Sequence, residues 1–316
     1  MLNTTSSHPK YFILLGIPGL ETSYVSLGFI FFLMYAISLI GNLTLLSIIR
    51  LDRSLHEPMY LFLSMLSSID LVLTSTTTPK VLAILWVDAK DISYEACLTQ
   101  MFFIHAFTCI ESSILLAMAF DRYVAICHPL RYTSILTLRG VLFIGLGSLG
   151  RGVGTVMPLP ILFRRLSLCQ DNNVVHHSFC DHIAVVKLAC SDATLNSVYG
   201  LATALLVVAV DLIFIAWSYV LILHAVFRLK SREARLKALS TCASHICAIL
   251  VFYLTVVLSS VVQRFAKTVP LYVIILLANV YLMSPPFINP LIYGMRTKQI
   301  RHRIVTLLHC RVTNKD

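Results

Sequence analysis

Seven times along this chain, about 20 or more mostly apolar residues follow one another, and about 20 is the length at which a helix crosses the hydrocarbon of a bilayer. The stretches run over residues 24–49, 59–86, 97–127, 140–163, 196–228, 236–263 and 271–294. In hydrocarbon the backbone has no water to bond, so segments of this kind must satisfy their own N–H and C=O groups as helices. Composition agrees, since 58% of the 316 residues are hydrophobic and only 13% are charged. The expected fold is therefore an all-α membrane protein: a seven-transmembrane helix bundle, followed by a short amphipathic C-terminal helix.

A formal net charge of +10 would suit nucleic acid if it were gathered on one domain, but it is not. The connections Arg50 to His56 with the adjoining Glu57, Arg131 to Arg139 and Arg228 to Lys237, the tail after the seventh stretch and the Asp121-Arg122 junction hold 16 of the 25 Lys and Arg against 5 of the 15 acids. That asymmetry puts these segments in the cytoplasm and, with seven spans, the N-terminus outside. The organisation expected is residues 1–23 as an extracellular N-terminus, 24–294 as the bundle, and 295–316 as a cytoplasmic amphipathic helix and tail. Residues 1–23 lack the basic, apolar and small-residue succession of a cleaved signal, so the first span is expected to do the targeting to the plasma membrane. Asn3-Thr4-Thr5 is a glycosylation acceptor on the matching side. In the tail, Arg296, Lys298, Arg301 and Arg303 alternate with Ile300, Ile304 and Leu307, a pattern suited to lying on membrane lipid, with Cys310 a palmitoylation candidate.

Polar residues inside spans are costly and read as functional or paired. The first span carries Asn42, which must find a partner on another helix. The second carries Asp70 and the third carries His105 and Glu111. The fourth span is rich in Gly145, Gly147, Gly150, Gly152 and Gly154, which are expected to allow close helix packing, and its Arg151 must face the bundle, with no partner nameable from sequence. The fifth carries Asp211, Ser218 and Tyr219. Prolines 285, 286 and 290 in the seventh free backbone carbonyls, which Asn289 and waters are expected to satisfy.

Asp121-Arg122-Tyr123 closing the third span and Asn289-Pro290-x-x-Tyr293 closing the seventh resemble the rhodopsin-like G-protein-coupled receptors. Pro58-Met59-Tyr60, Met118 to Tyr132, Ser218-Tyr219, Lys237 to His245 and Pro286 to Gly294, in that order, resemble the odorant receptors over the whole chain. Gly16 to Glu21 and Leu98 to Ala106 are similar to the class I, fish-like branch, whose known ligands include short carboxylic acids.

The resemblance implies that Asp121 restrains Arg122 at rest and that outward movement of the sixth span opens a cleft for a heterotrimeric G protein, of the stimulatory, olfactory type that raises cyclic AMP. Tyr219 and Tyr293 would stabilise the open state. It also brings Asp70 and Glu111 together in the bundle. Two buried carboxylates cannot both stay charged cheaply, so either one is protonated or a small cation such as sodium lies between them. No other cofactor is expected.

For the ligand, Arg264 follows Tyr253 by 11 residues, which returns it nearly to the same helix face about 16 Å higher, with Ser260 between. A face of Tyr253, Ser260 and Arg264 opposite His105 would hold a carboxylate, the guanidinium bidentately and the imidazole by one further bond. Thr108, Cys109 and Ser112 continue the third-span face and would tune size. A non-acid odorant, or a metabolite sensed elsewhere in the body, is the alternative.

Four cysteines expected outside, Cys97, Cys169, Cys180 and Cys190, allow three pairings. The resemblance implies Cys97 with Cys180 and Cys169 with Cys190. The run His176 to His182 also has the look of a copper or zinc ligand set, which a disulfide at Cys180 would deprive of its thiolate. A transporter would need internal repeats, and a membrane enzyme paired catalytic motifs such as His-Glu-x-x-His. The sequence contains neither.

Overall fold

A computed structural model describes residues 9–169, 173–265, 268–296 and 299–304. Asn3, Lys298 and residues 305–316, with Cys310 among them, lie outside the described residues. The helices are α1 (Tyr24–Leu51), α2 (Pro58–Val87), α3 (Tyr94–Cys127), α4 (Tyr132–Ile135), α5 (Leu138–Val156), α6 (Pro158–Phe163), α7 (His182–Val186), α8 (Thr194–Phe227), α9 (Arg232–Phe265) and α10 (Leu271–Arg296). Seven segments are long and apolar enough to cross a membrane, the fourth being α5 and α6 together. Pro158 divides that span because its ring cannot continue the hydrogen-bond ladder, and it opens α6 at a first-turn position where no N–H is missed.

Helix starts follow local chemistry. Pro58 opens α2, the Ser93 side chain accepts from the Ala96 N–H at the head of α3, and Thr137 accepts from Gly140 at the head of α5. The span α3 is the most deeply buried, while α1, α5 and α8 show most of their surface to the surroundings. That surface is apolar, with Phe29, Phe143, Phe214 and Trp217 exposed, as lipid contact requires. The main core joins Phe62, Leu63 and Leu66 of α2 to Ile114 and Met118 of α3 and Phe252 of α9.

Of the fourth-span glycines, only some serve packing. A Cβ on Gly152 would come within 2.4 Å of Ile110 Cγ1 and 2.8 Å of the Ala106 carbonyl, so α5 crosses α3 at backbone distance there. A Cβ at Gly147, Gly150 or Gly154 would meet nothing, which corrects the expectation that the whole set permits close approach.

One end of the bundle is covered by a small sheet of order β2-β1-β3. The N-terminal strand β1 (Tyr11–Leu14) pairs antiparallel with β2 (Asp91–Ser93) and parallel with β3 (Val174–Val175). Disulfides Cys97–Cys180 and Cys169–Cys190 tie the long loop between α6 and α8 to α3 and to itself. We call this the disulfide end, and the opposite one the basic end. At the basic end, residues 299–304 are helical and pack on the bundle: Ile300 is fully buried, Arg303 pairs with Asp52, and Tyr60 donates to Gln299.

Candidate functional site

Beneath the loop at the disulfide end lies a cavity of about 130 Å³. His105, Thr108, Cys109, Ser112, Ser260 and Arg264 all line it. Tyr253 does not: it lies below the floor, its ring against Phe252 and its hydroxyl 2.8 Å from Ser112 Oγ. The helical spacing from Tyr253 to Arg264 is right, but Phe252 takes the place in the wall that Tyr253 was expected to hold.

Asp181, His182, Gln263 and Tyr281 also line the cavity, and sequence reasoning missed them. The Cys97–Cys180 bridge is what brings Asp181 and His182 against α3. Asp181 Oδ1 stands 4.0 Å from His105 Nε2, while Oδ2 accepts from the Ile183 and Ala184 N–H groups at the start of α7. The His177, His105 and His182 rings around it hold its carboxyl below the usual range despite burial. His182 crosses the His105 ring edge-on with centroids 6.2 Å apart. It fits only because residue 200 is glycine, whose Cβ, if present, would stand 2.6 Å from the imidazole. Burial pushes His182 and the neighbouring His177 down to about 4, so both rings are neutral at pH 7. Among the described residues Arg264 makes no ion pair and no hydrogen bond, leaving its guanidinium free to meet a ligand.

The histidine run is split rather than gathered. His176 is exposed, His177 is buried and Cys180 is in a disulfide. Among the described residues no three His, Cys, Asp or Glu side chains converge as a metal site.

Below the cavity floor a buried polar network joins four spans. Ser112 donates to Asp211 Oδ2 at 2.5 Å, and Arg151 Nη1 donates to both Asp211 oxygens and to Ser113. Arg151 thus has a partner, on α8. The network runs from α5 and α8 through α3 to Tyr253 on α9.

Deeper still, Asp70 and Glu111 are both buried, and Asn289 Nδ2 donates to the two Asp70 oxygens at 3.3 and 3.1 Å. Among the described residues Glu111 Oε1 has no hydrogen-bond partner. Asn289 was expected to satisfy a carbonyl freed by proline, but another amide does so. Pro290 has no N–H to give the Pro286 carbonyl four residues earlier, and Asn42 Nδ2 of α1 donates to it at 3.0 Å. Asn42 reaches it because α1 packs on α10, whereas Asn289 is turned toward α2 and the stronger acceptor.

At the basic end, Arg122 donates through Nε and Nη2 to Asp121 Oδ2 at 3.0 and 2.6 Å, and Tyr132 of α4 donates to Oδ1 at 2.7 Å. Asp121 is fully buried, and the Arg122 side chain is 13% exposed. The Tyr219 hydroxyl and His245 Nδ1 share a bond of 2.8 Å between α8 and α9. Tyr293 is buried, its hydroxyl without a partner among the described residues. Tyr123 packs, partly buried, against the cluster of Ile222, Val226 and Cys242, and its hydroxyl shares a bond with His128.

The family pattern described as olfactory receptor matches residues 31–311. Human olfactory receptor 52K1 is 53% identical over 305 residues, 96% of this chain and 97% of that one. Human olfactory receptor 52D1 is 52% identical over 309 residues, 97% of each chain. Rat olfactory receptor 51E2 is 51% identical over 296 residues, 94% of this chain and 92% of that one. With seven spans, both disulfides and the Asp121–Arg122 pair in place, the chain belongs to the olfactory receptors, multi-pass G-protein-coupled receptors that sense odorants and are not enzymes.

Proposed function

We propose that this receptor binds a small carboxylic acid in the cavity at the disulfide end and, when occupied, activates a stimulatory, olfactory-type G protein at the basic end to raise cyclic AMP. The observation that carries the ligand class is Arg264, a guanidinium on the cavity wall with no ion-pair partner among the described residues. His105 lines the same cavity. Asp181 is also there and acts on Arg264 through space, but its Oδ2 is engaged by the first N–H groups of α7. Walls such as Val156, Val207, Phe252 and Val256 suit a short aliphatic chain. A cavity of this size matches an acid of a few carbons, since about 150 Å³ holds benzene. Arg264→Ala is expected to abolish cyclic AMP responses to aliphatic acids while surface expression persists. Retained potency would refute the anchor.

The orientation that fits is the disulfide end outside, where disulfides form, and the basic end in the cytoplasm. Opening would separate Arg122 from Asp121 and part α9 from α3, which breaks or re-forms the Tyr219–His245 bond and gives the unpartnered Tyr293 hydroxyl a role. The exposed Arg301 and His302 suit contact with anionic lipid. Asp70, Glu111 and Asn289 fit a sodium ion: the donors are hard oxygens, two of them carboxylates, and Glu111 Oε1 lacks a partner among the described residues. Sodium supplies positive charge that lets both acids stay ionised. If so, sodium shifts agonist potency in wild type and not in Glu111→Gln.

A further inference from the structure

A second cavity adjoins the first and takes no part in the reading above. It measures about 390 Å³ and lies between the long disulfide-bonded loop, which contributes His177 and Lys187, and the facing ends of α9, which contributes Gln263, and α10, which contributes Leu271 and Ile274. Asp181, Ile183 and Gln263 line both cavities, so a partition only one side chain thick separates them.

His177 is the side chain that demands an explanation. It is 2% exposed, and among the described residues neither of its ring nitrogens has a hydrogen-bond partner. The Phe179 ring lies against it with centroids 4.2 Å apart and satisfies neither nitrogen, while the Asp181 carboxylate and Lys187, which line the same cavity, act on it through space. Buried polar groups in folded proteins are very rarely left unbonded, and a neutral imidazole brings one donor and one acceptor. The cavity it lines must therefore supply polar atoms of its own. Lys187, exposed at the rim, adds three donors and a positive charge, while Leu271 and Ile274 offer an apolar wall opposite.

We propose that this outer cavity is a second, weaker binding site for short aliphatic carboxylates, with Lys187 and His177 donating to the carboxylate and Leu271 and Ile274 covering the chain, from which the ligand crosses the partition to the inner cavity. This rests on the carboxylate reading of the inner cavity. Cation and imidazole at the rim raise the local concentration of anions next to the site where binding is read out. The outer cavity is also the roomier one, so chains too long for the inner cavity can be held there.

The test measures hexanoate binding by ligand-observed NMR to the full-length receptor in lipid nanodiscs. Wild type, Arg264→Ala, Arg264→Ala with Lys187→Gln, and Arg264→Ala with His177→Phe are compared, the last filling the space of the ring without its nitrogens. Two classes of site are expected in wild type. Arg264→Ala should remove the tighter class and leave the weaker, and adding either Lys187→Gln or His177→Phe should weaken what remains at least fivefold. The outer site is overturned if Arg264→Ala abolishes all binding, or if residual binding ignores both Lys187 and His177. A tight class that survives Arg264→Ala overturns the inner anchor instead, with Lys187→Gln and His177→Phe still deciding the outer site. Absence of hexanoate binding to wild type overturns both.

Discussion

Arg151 and Asp211, sixty residues apart, meet inside the bundle through one guanidinium nitrogen that donates to both carboxylate oxygens at 2.8 and 3.0 Å, with Asp211 fully buried. Two charges are thereby carried into hydrocarbon as a pair. Removing one partner leaves the other uncompensated, which in buried settings costs about 3–5 kcal/mol. Asp211→Ala and Arg151→Ala are each expected to lose most surface expression. The apolar double variant Arg151→Met with Asp211→Leu should recover part of it, and expression no better than the single variants would show that the pair has a role beyond charge balance.

Asn42 and the Pro286 carbonyl form a second long-range dependence, at 3.0 Å. Asn42→Leu fills the space but orphans a carbonyl that Pro290 has already freed, at a cost of about 1–3 kcal/mol. The expected result is a fall of several degrees in the thermal inactivation midpoint of receptor in detergent. Asn42→Asp, which cannot donate when ionised, should do no better.

Tyr132 holds Asp121 from the side opposite Arg122, at 2.7 Å. A hydrogen bond to a buried carboxylate contributes about 1.5–3 kcal/mol. Tyr132→Phe should therefore loosen the Asp121–Arg122 pair and raise basal cyclic AMP several-fold at matched surface level. An unchanged baseline would mean that Tyr132 only positions α4.

Histidines 177 and 182 give the loop a pH dependence whose sign can be worked out. Both are held neutral in the fold by burial, down to about 4 from an ordinary 6.5. Below 6.5 the unfolded loop binds protons that the folded loop refuses, so stability is full above that pH and falls as pH drops toward 4. The slope is at most about 1.4 kcal/mol per pH unit for each ring. The thermal inactivation midpoint should fall between pH 6.5 and 4.5, and His177→Phe should make that fall shallower.

Glycine 200 is expected to matter for the ligand rather than for the bundle. A methyl there would stand 2.6 Å from the His182 ring, which lines the inner cavity. Gly200→Ala should shift agonist potency at least several-fold while expression changes little, as read from concentration–response curves at matched surface level.

Much of this was legible in one dimension, for identifiable reasons. Span count and the gathering of basic residues at one end of the bundle follow from the free energy of putting groups in hydrocarbon, which acts residue by residue and needs no partner. Helix starts also turn on chemistry within three or four positions, and the Ser93 and Thr137 caps start α3 at Tyr94 and α5 at Leu138, earlier than the apolar stretches from 97 and 140 place them. The inward faces of α3 and α9 could be laid out by helical periodicity, which set His105, Ser112, Ser260 and Arg264 on the cavity wall.

Tertiary packing decided what depends on the distance between segments far apart in the chain. It gave the freed Pro286 carbonyl to Asn42 and left Asn289 for Asp70, a choice between two amides that no local rule distinguishes. It paired Arg151 with Asp211 and set Tyr253 beneath the cavity floor, with Phe252 in the wall. It also carried Asp181 and His182 from a polar loop into the wall of the inner cavity, by way of the disulfide at Cys180. The sequence by itself determined that seven helices cross a membrane and which faces turn inward, because hydrocarbon sorts each side chain independently. Only the fold decided which inward polar group answers which, because hydrogen bonds and ion pairs select by ångströms of separation that the order of residues does not contain.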